Sequence, residues 1–330
     1  MIRPMADRRW MTAAEDAGVR LDKFLAAPDR LGSRSKATAA IDRGKVFVND
    51  REAETADAAL ALSVGDVVRV WMDRPGSGRV VRARTRREGD LIVVYEDSSL
   101  LVVDKPPGLL AVPLGRRGQA RSLVELVEEH LRSQGKRRPQ VVHRIDRDTS
   151  GLVMFAKDGL TLAHLKAQFL RREPQRVYQA IVHGHPMPQA GLWCDHLVWD
   201  GEDLIQRATG AGDPRGKEAL SEYRVLQRLH GASLIEVRLV TGKRNQIRLQ
   251  AELRGHPLVG ETMYADAAHT SRIAFPRQAL HAWRLAFEHP VTGNQVSLES
   301  PLPSDMAALL ARLSARRHPP GRRSIRQEPE

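Results

Sequence analysis

The sequence is poor in cysteine and has no long apolar run. One cysteine, Cys194, stands among 330 residues, so no disulfide can form within the chain and no cysteine cluster can bind zinc. No apolar stretch approaches the roughly 18 residues that a membrane-spanning helix needs, and residues 1–10 lack the apolar core of a signal peptide. We therefore expect a protein of a reducing cytoplasm that does not enter a membrane.

Acidic residues are also fewer than basic ones. Lysine and arginine number 52, aspartate and glutamate 40, so the formal net charge is +12. Such an excess indicates a polyanionic partner, most often nucleic acid, although a merely basic protein stays an alternative. Hydrophobic residues make up 42% of the chain, which is enough for a packed core. The length suffices for one large domain and a small one.

The most informative stretch is a charged turn between two apolar runs. It reads HRIDRDTSGL, from His143 to Leu152, with valines before it and Val153–Ala156 after it. Such a pattern places the turn at the edge of a sheet. Asp146 then lies where the loop meets a buried strand, and we expect the flanking Arg144 and Arg147 to lower its pKa. A carboxylate that only caps the turn is the alternative.

A small α/β domain is predicted over residues 18–72, after an N-terminal tail at 1–17. Ser33 is a candidate N-cap for a helix from Arg34 to Asp42, and strands are expected at 45–50 and 67–71. Residues 73–90 read as a basic linker with proline and glycine, typical of a flexible tether. The linker either touches phosphate or is simply solvated.

A larger domain is predicted over residues 91–316, before a disordered tail at 317–330. Its first two apolar runs, 91–95 and 100–103, flank a turn and predict a hairpin. Helices are expected near 122–131, 160–171, 246–253 and 305–313, and strands at 176–182, 192–199, 219–229 and 234–240.

Several motifs in the same order resemble the RluA family of pseudouridine synthases. The turn resembles that family's HRLDxxTSGL, with Ile145 for leucine. EDSSLLVVDKPPG at 96–108, RVYQAIVHG at 176–184, TGKRNQIR at 241–248 and RQALHA at 277–282 resemble its other motifs. Residues 18–72 resemble the small RNA-binding domain named after ribosomal protein S four. The resemblance implies an α+β protein with the pseudouridine synthase fold, a mixed, mostly antiparallel central sheet with flanking helices and loops.

The resemblance also implies a reaction and a set of site residues. Uridines of RNA, ribosomal more than transfer RNA, would be isomerised to pseudouridine without cofactor or metal, by a monomer. Asp146 would be the catalytic residue, Arg248 its ion-pair partner, and Tyr178 would stack on the base and assist proton removal. Arg144 would fill the gap left by a flipped-out uridine. The basic residues of the small domain that would meet RNA are Arg34, Lys36, Arg43 and Lys45.

The sequence departs from the family motif TGRxHQIR at two positions, and three other interpretations of the chain remain open. Lys243 and Asn245 replace the arginine and histidine usual in TGRxHQIR, and we expect neither to touch the three catalytic residues. A non-catalytic RNA-binding or ribosome-assembly factor of the same fold is the first alternative. The second is a glycosidic hydrolase that uses Asp146 and Asp148 as a carboxylate pair. The third, a metal site at His183 and His185, lacks further ligands at familiar spacing.

Overall fold

The computed structural model describes residues 8–42, 44–71, 85–113, 121–133, 138–265 and 273–315. These residues divide into two compact units. The first lies within Met1–Arg82 and Ala286–Ser297, and the second within Ala83–Leu285 and Leu298–Glu330. No helix of the described residues is long and apolar enough to cross a membrane.

The first unit packs two helices on a small antiparallel sheet. Its elements are β1 (Arg8–Met11), α1 (Leu21–Leu25), α2 (Arg34–Asp42), β2 (Val46–Val48), β3 (Arg51–Glu52) and β4 (Val67–Val70). The strand order is β1-β4-β2-β3. Apolar residues at helical spacing in α1, with alternate valines of β2 and β4, form the buried core. Ser33 caps α2 as expected, because its Oγ accepts a hydrogen bond from the backbone N–H of Lys36.

The sequence boundaries of this unit need one correction. Residues 8–11 were expected in a tail, yet they form the edge strand β1, which pairs with β4. The physical reason is that Trp10 is partly buried against the core of the unit, while the neighbouring Arg8 and Arg9 stay exposed. A single anchoring aromatic residue in a charged segment is too weak a pattern to predict a strand.

A second, long sheet with helices beside it lies mostly in the second unit. Among the described residues its strands are β5 (Arg86–Glu88), β6 (Leu91–Glu96), β7 (Leu100–Lys105), β8 (Gln140–Val141), β9 (Ser150–Ala156), β10 (Gln175–His183), β11 (Ala190–Asp200), β12 (Ile205–Thr209), β13 (Lys217–Arg228), β14 (Ala232–Leu239), β15 (Leu280–Glu288) and β16 (Gln295–Glu299). Its helices are α3 (Leu123–Ser133), α4 (Gly159–Leu170), α5 (Gln246–Glu252) and α6 (Ser304–Ala315). Residues 286–288 of β15 and 295–297 of β16 fall within the ranges of the first unit. The α+β prediction is confirmed.

The order of the strands places the turn at 146–149 near the middle of the sheet. The main path runs β12-β11-β13-β14-β10-β15-β9-β7-β6-β5, with β16 beside β15 and β8 beside β9. β9 pairs antiparallel with β7 and parallel with β15, and all seven of its residues are buried. Gly151 has φ +113°, and a Cβ there would overlap the carbonyl oxygen of Ala282. Only glycine permits this close approach of β9 and β15.

The end of the expected linker is also structured. Arg86–Glu88 forms β5, which pairs with β6, and Gly89, at φ +58°, makes the turn between the two strands. Arg86 forms an ion pair with Glu96. Charged residues on an edge strand satisfy the backbone ladder as well as apolar ones do, so composition alone did not reveal β5. The arginines at 79, 82 and 84 lie outside the described residues, as do Arg43 and the tail at 317–330.

Candidate active site

The turn after Val142 is held by two buried cations that the sequence did not single out. The backbone N–H of Thr149 donates to the carbonyl of Asp146 at 3.2 Å and closes the turn. Lys105, at the end of β7, donates from Nζ to the carbonyl oxygen of Arg147 at 2.7 Å. Arg277 donates from Nη1 to the carbonyl oxygen of Asp148 at 2.9 Å. These hydrogen bonds fix the backbone of the turn that positions Asp146.

Both cations are themselves firmly placed. Lys105 is fully buried and also donates to the carbonyls of Pro106 and Leu109 at 2.8 Å each. Its burial lowers the pKa of its ammonium to about 7. Arg277 forms a two-point ion pair with Asp305, at 2.7 and 3.0 Å. The KPPG and RQALHA motifs were the available signals for these two residues, but a motif does not reveal what its side chain contacts.

A cavity of about 350 Å³ opens beside the turn. It collects residues from four separate parts of the second unit, including all four that were expected at the reaction centre. Its charged or polar lining residues are His143, Arg144, Asp146, Thr149, Arg176, Tyr178, Lys243, Arg244, Asn245, Gln246 and Arg248. Asp146 is the one carboxylate among the lining residues that the structure describes. The cavity therefore suits a ligand that is largely anionic or rich in acceptors.

The environment of Asp146 differs from the sequence expectation. Burial raises the pKa of its carboxyl above the ordinary value, and Arg248 and Arg144 only partly oppose this rise. The prediction of a lowered pKa is therefore wrong in direction. Arg147 contributes little to it, because its guanidinium pairs with Asp148 at 3.2 Å. Desolvation outweighs the flanking charges, and neighbours in sequence cannot reveal how deeply the turn is buried.

Arg248 is placed by a second carboxylate. Its Nε and Nη2 donate to Glu261 at 2.7 and 2.6 Å, a two-point ion pair in which Glu261 is fully buried. Its Nη1 lies 4.0 Å from Oδ2 of Asp146. The expected ion pair between Arg248 and Asp146 is thus a distant one, and Glu261 is the closer partner of Arg248. Glu261 fixes the orientation of the guanidinium, and the guanidinium then faces Asp146.

Asn245 contacts Asp146 directly, contrary to expectation. The head group of its amide lies 2.9 and 3.2 Å from the two oxygens of Asp146, and 3.2 Å from the hydroxyl of Tyr264. We orient the amide with its nitrogen toward Asp146, since the opposite orientation would face oxygen with oxygen. The amide then donates to Asp146 and accepts from Tyr264. Asn245 precedes α5 in the left-handed region, at φ 52°, which asparagine tolerates better than most residues.

Tyr178 and Arg144 occupy opposite environments within the same cavity. Tyr178 lies on β10 and is buried, and its burial raises the pKa of the phenol to about 12. Arg144 is exposed at the cavity lining. A phenol with such a pKa is neutral at physiological pH, whereas the exposed side chain of Arg144 can meet a ligand that arrives from solvent.

The carboxylate pair of the hydrolase alternative is not formed. Asp148 does not line the cavity, and its oxygens accept hydrogen bonds from Arg147. The metal-site alternative requires His185 as a ligand, but Nδ1 of His185 lies 3.1 Å from the hydroxyl oxygen of Ser233, within hydrogen-bond distance. No group of three potential ligands from histidine, cysteine, aspartate and glutamate is placed for a metal ion among the residues described.

The expected RNA-binding residues of the first unit lie around α2. Arg34 begins the helix with a side chain 60% exposed, 4.0 Å from Asp22. Lys36 is exposed, and Lys45 is half-buried after the helix. Arg43 lies outside the described residues. The described part of the predicted set thus clusters at one helix and the loop that follows it.

Comparison with known proteins identifies the family. Residues 99–253 match a family profile described as RNA pseudouridylate synthase. A ribosomal large subunit pseudouridine synthase D from Zymomonas mobilis is 36% identical over 311 residues, which cover 91% of this chain and 95% of that protein. The chain belongs to the RNA pseudouridylate synthase family. The RluA-type resemblance is confirmed, and with it an enzyme that isomerises uridine in RNA to pseudouridine.

Further pseudouridylate synthases agree with this assignment. An uncharacterised RNA pseudouridine synthase of Bacillus subtilis is 35% identical over 308 residues, covering 92% of this chain and 97% of that protein. The solved structure of human RNA pseudouridylate synthase domain containing 4 superposes with a TM-score of 0.56 at 21% identity. It covers 67% of this chain and 92% of the human one. At that identity the likeness concerns the fold.

Proposed function

We propose that Asp146 is the catalytic residue of this pseudouridylate synthase and acts on a uridine flipped into the cavity. In the reaction the bond from C1′ of the ribose to N1 breaks, a bond from C1′ to C5 forms, C5 loses its proton and N1 gains one. A carboxylate can attack carbon or stabilise a positively charged sugar. The observation that carries the proposal is that Asp146 is the one carboxylate lining the cavity among the described residues.

The neighbouring side chains take complementary roles. Arg248, oriented by Glu261, favours the ionised form of Asp146 and opposes the effect of burial. Tyr178 stacks on the flipped base. With a pKa near 12, it serves as a neutral phenol that relays the C5 proton, since its phenolate is scarce at neutral pH. Arg144, exposed at the cavity lining, takes the place of the uridine in the RNA.

We further propose that the substrate is ribosomal RNA. Several relatives, including those from Zymomonas mobilis and Pseudomonas aeruginosa, bear the name ribosomal large subunit pseudouridine synthase D. A ribosomal substrate implies the compartment in which ribosomes assemble, which in a bacterium is the cytoplasm. One chain supplies every side chain assigned here to the reaction, which supports action as a monomer. The first unit, through Arg34, Lys36 and Lys45, supplies affinity for RNA.

Mapping of pseudouridines across total RNA tests the proposal. Cells with the gene, cells without it, and cells that express only the Asp146→Asn variant would be compared. We expect one or a few ribosomal sites to lose pseudouridine in the second and third strains alike. Identical maps in all three strains would contradict the proposed activity, and loss confined to transfer RNA would contradict the proposed substrate.

A further inference from the structure

Arg176 carries a guanidinium in the cavity wall without an anionic partner among the described residues. It is the second residue of β10, and Tyr178 follows two positions later. Alternate residues of a strand face the same way, and both side chains line the cavity. Within the described part of the chain no hydrogen bond or ion pair holds the guanidinium, and its Nε is buried without a hydrogen-bond partner.

Arg176 is half-buried, and the two fully buried arginines among the described residues of this unit are paired. Arg248 has Glu261 and Arg277 has Asp305, each through two hydrogen bonds. A half-buried cation that has lost part of its hydration without gaining a counter-charge is also unfavourable, although less so than a fully buried one. Burial accordingly lowers the pKa of Arg176 below its ordinary value, as expected for a cation that has lost water without gaining an anion. A ligand that brings a negative charge to the cavity would remove this cost.

The guanidinium is held in place by packing. Its Cζ lies 5.3 Å from the centre of the Phe169 ring, a cation–π contact. On another side it rests against the backbone of Gly242, where an added Cβ would overlap Nη1. Arg176 is therefore positioned in advance and is not a solvated surface side chain.

The charges around Arg176 favour an anionic ligand group at this position. Five cationic side chains line the cavity, against the single carboxylate of Asp146, and one of the five is committed to Glu261. The five are Arg144, Arg176, Lys243, Arg244 and Arg248. Burial is the main cause that lowers the pKa of Lys243. Lys217 and Arg172 lower it further, and Glu218, which pairs with Arg172, partly opposes them. The base and ribose of uridine are neutral and cannot compensate these cations, whereas the phosphodiester on either side of the ribose can.

We propose that Arg176 binds a backbone phosphate of the substrate RNA next to the flipped uridine. This inference rests on the proposed function, because it requires the uridine to enter the cavity. A guanidinium presents two parallel N–H groups that match two phosphate oxygens. Contacts to phosphate position a nucleic acid without reading its sequence. Arg176 thus anchors the nucleotide while Tyr178, on the same face of β10, meets its base.

The test combines protein variants with a substrate whose phosphates are neutralised one at a time. The probe is a short RNA stem-loop that contains a uridine found by mapping, with methylphosphonate in place of single phosphates around it. Single-turnover kcat/KM would be measured for wild type and for Arg176→Met, which keeps the length of the side chain but removes its charge. Conversion of the unmodified stem-loop by wild type tests the proposed function separately.

One neutral linkage and the Arg176→Met change should each reduce kcat/KM by about 10- to 100-fold, the usual effect of one charge-assisted hydrogen-bonded contact. Together they should cost no more than either alone, because both remove the same contact. Arg176→Lys should restore part of the loss. If every neutral linkage costs the variant as much as it costs wild type, the phosphate contact does not exist and the proposal is wrong.

Two further variants control for folding and for general charge. Gly242→Ala keeps Arg176 but forces its guanidinium to move, so the same linkage should lose its effect in this variant too. Arg224→Met removes an equal charge from a side chain that is exposed, pairs with Glu236 and does not line the cavity. It should respond to every linkage as wild type does. A Gly242→Ala response identical to that of wild type would also overturn the proposal.

Discussion

Glu261, and not Asp146, is the close partner of Arg248. The two side chains share two hydrogen bonds of 2.7 and 2.6 Å, and both are buried. The distance from Arg248 to Asp146 is 4.0 Å. Glu261 thus satisfies and orients the guanidinium, which leaves Nη1 directed toward the cavity. The carboxylate of Asp146, which we propose to be catalytic, is then able to face a cation without forming a close ion pair with it.

This pairing predicts that Glu261→Gln destabilises the fold. Removal of one partner leaves the buried Arg248 uncompensated, so we expect the free energy of unfolding to fall by about 3 to 5 kcal/mol. Chemical denaturation measures it. Glu299→Gln is the matched control, because its pair with Arg284 is solvent-exposed and worth less than about 1 kcal/mol. Equal effects of the two substitutions would contradict the role assigned to Glu261.

Substitution of the two aspartates of the turn, Asp146 and Asp148, should have very different effects on the rate of pseudouridine formation. Asp146→Asn keeps the shape of the side chain but removes its charge, so this variant should fold, bind RNA and form no detectable pseudouridine. Asp148→Asn should stay within about fivefold of the wild-type rate, because Asp148 takes part in an exposed pair with Arg147. Both would be assayed on one RNA, with circular dichroism to check folding. Activity of Asp146→Asn near the wild-type rate would remove the basis of the mechanism.

The contact between Asn245 and Asp146 predicts a change in pH dependence. The raised pKa of Asp146 means that its ionised form, and the rate, are lost as pH falls through that pKa. Asn245→Asp puts a like charge beside Asp146 and removes a donor, so the acid limb of the single-turnover rate should move up by about one pH unit or more. Both residues tolerate the left-handed backbone.

Asn245→Gly separates the two effects in this prediction. Glycine adopts the left-handed conformation readily and removes the amide without adding a charge. Its acid limb should therefore move in the same direction as that of Asn245→Asp, but less far. Acid limbs that coincide in wild type and both variants would show that the amide does not act on the ionisation of Asp146.

Tyr178→Phe should lower the rate but leave the alkaline side of the pH profile unchanged. The hydroxyl is lost, which we expect to cost about 100-fold or more if it relays a proton. The pKa of Tyr178 is about 12, so its ionisation contributes nothing to the rate at lower pH. Binding of RNA, measured by fluorescence anisotropy, should be little affected. An alkaline limb that disappears in the variant would mean that the phenolate, not the phenol, takes part.

The helix α2 predicts the salt dependence of RNA binding. The Arg34→Ala, Lys36→Ala double variant should bind structured RNA more weakly, and the slope of log affinity against log salt should become shallower by about one to two. The Arg224→Ala, Arg238→Ala double variant loses the same charge from exposed strand residues that pair with glutamates. It should keep the wild-type slope. A slope unchanged in the α2 variant would contradict RNA binding by this helix.

Local sequence patterns were sufficient to predict the secondary structure of much of the chain. The apolar run after residue 149 showed that Asp146 precedes a buried strand, although that strand lies inside the sheet and not at its edge. Ser33 before α2 was recognisable as a cap because capping depends on residues three positions apart. The motif order identified the family. These features are short-range, since the side-chain period of a strand or helix is written in the sequence itself. The strands β1 and β5 were not predicted, because charged edge strands lack the alternation of apolar and polar residues that marks a strand.

The contacts that make the site were decided only by the tertiary structure. Lys105 reaches Arg147 across 42 residues of sequence, and Arg277 reaches Asp148 across 129. The direction of the pKa shift at Asp146 likewise depends on burial, to which distant strands contribute. No periodicity encodes which distant side chains meet, because packing selects them only once the sheet has formed. The sequence therefore determined which residue is proposed to carry the reaction, and the fold determined which side chains orient, charge and support it.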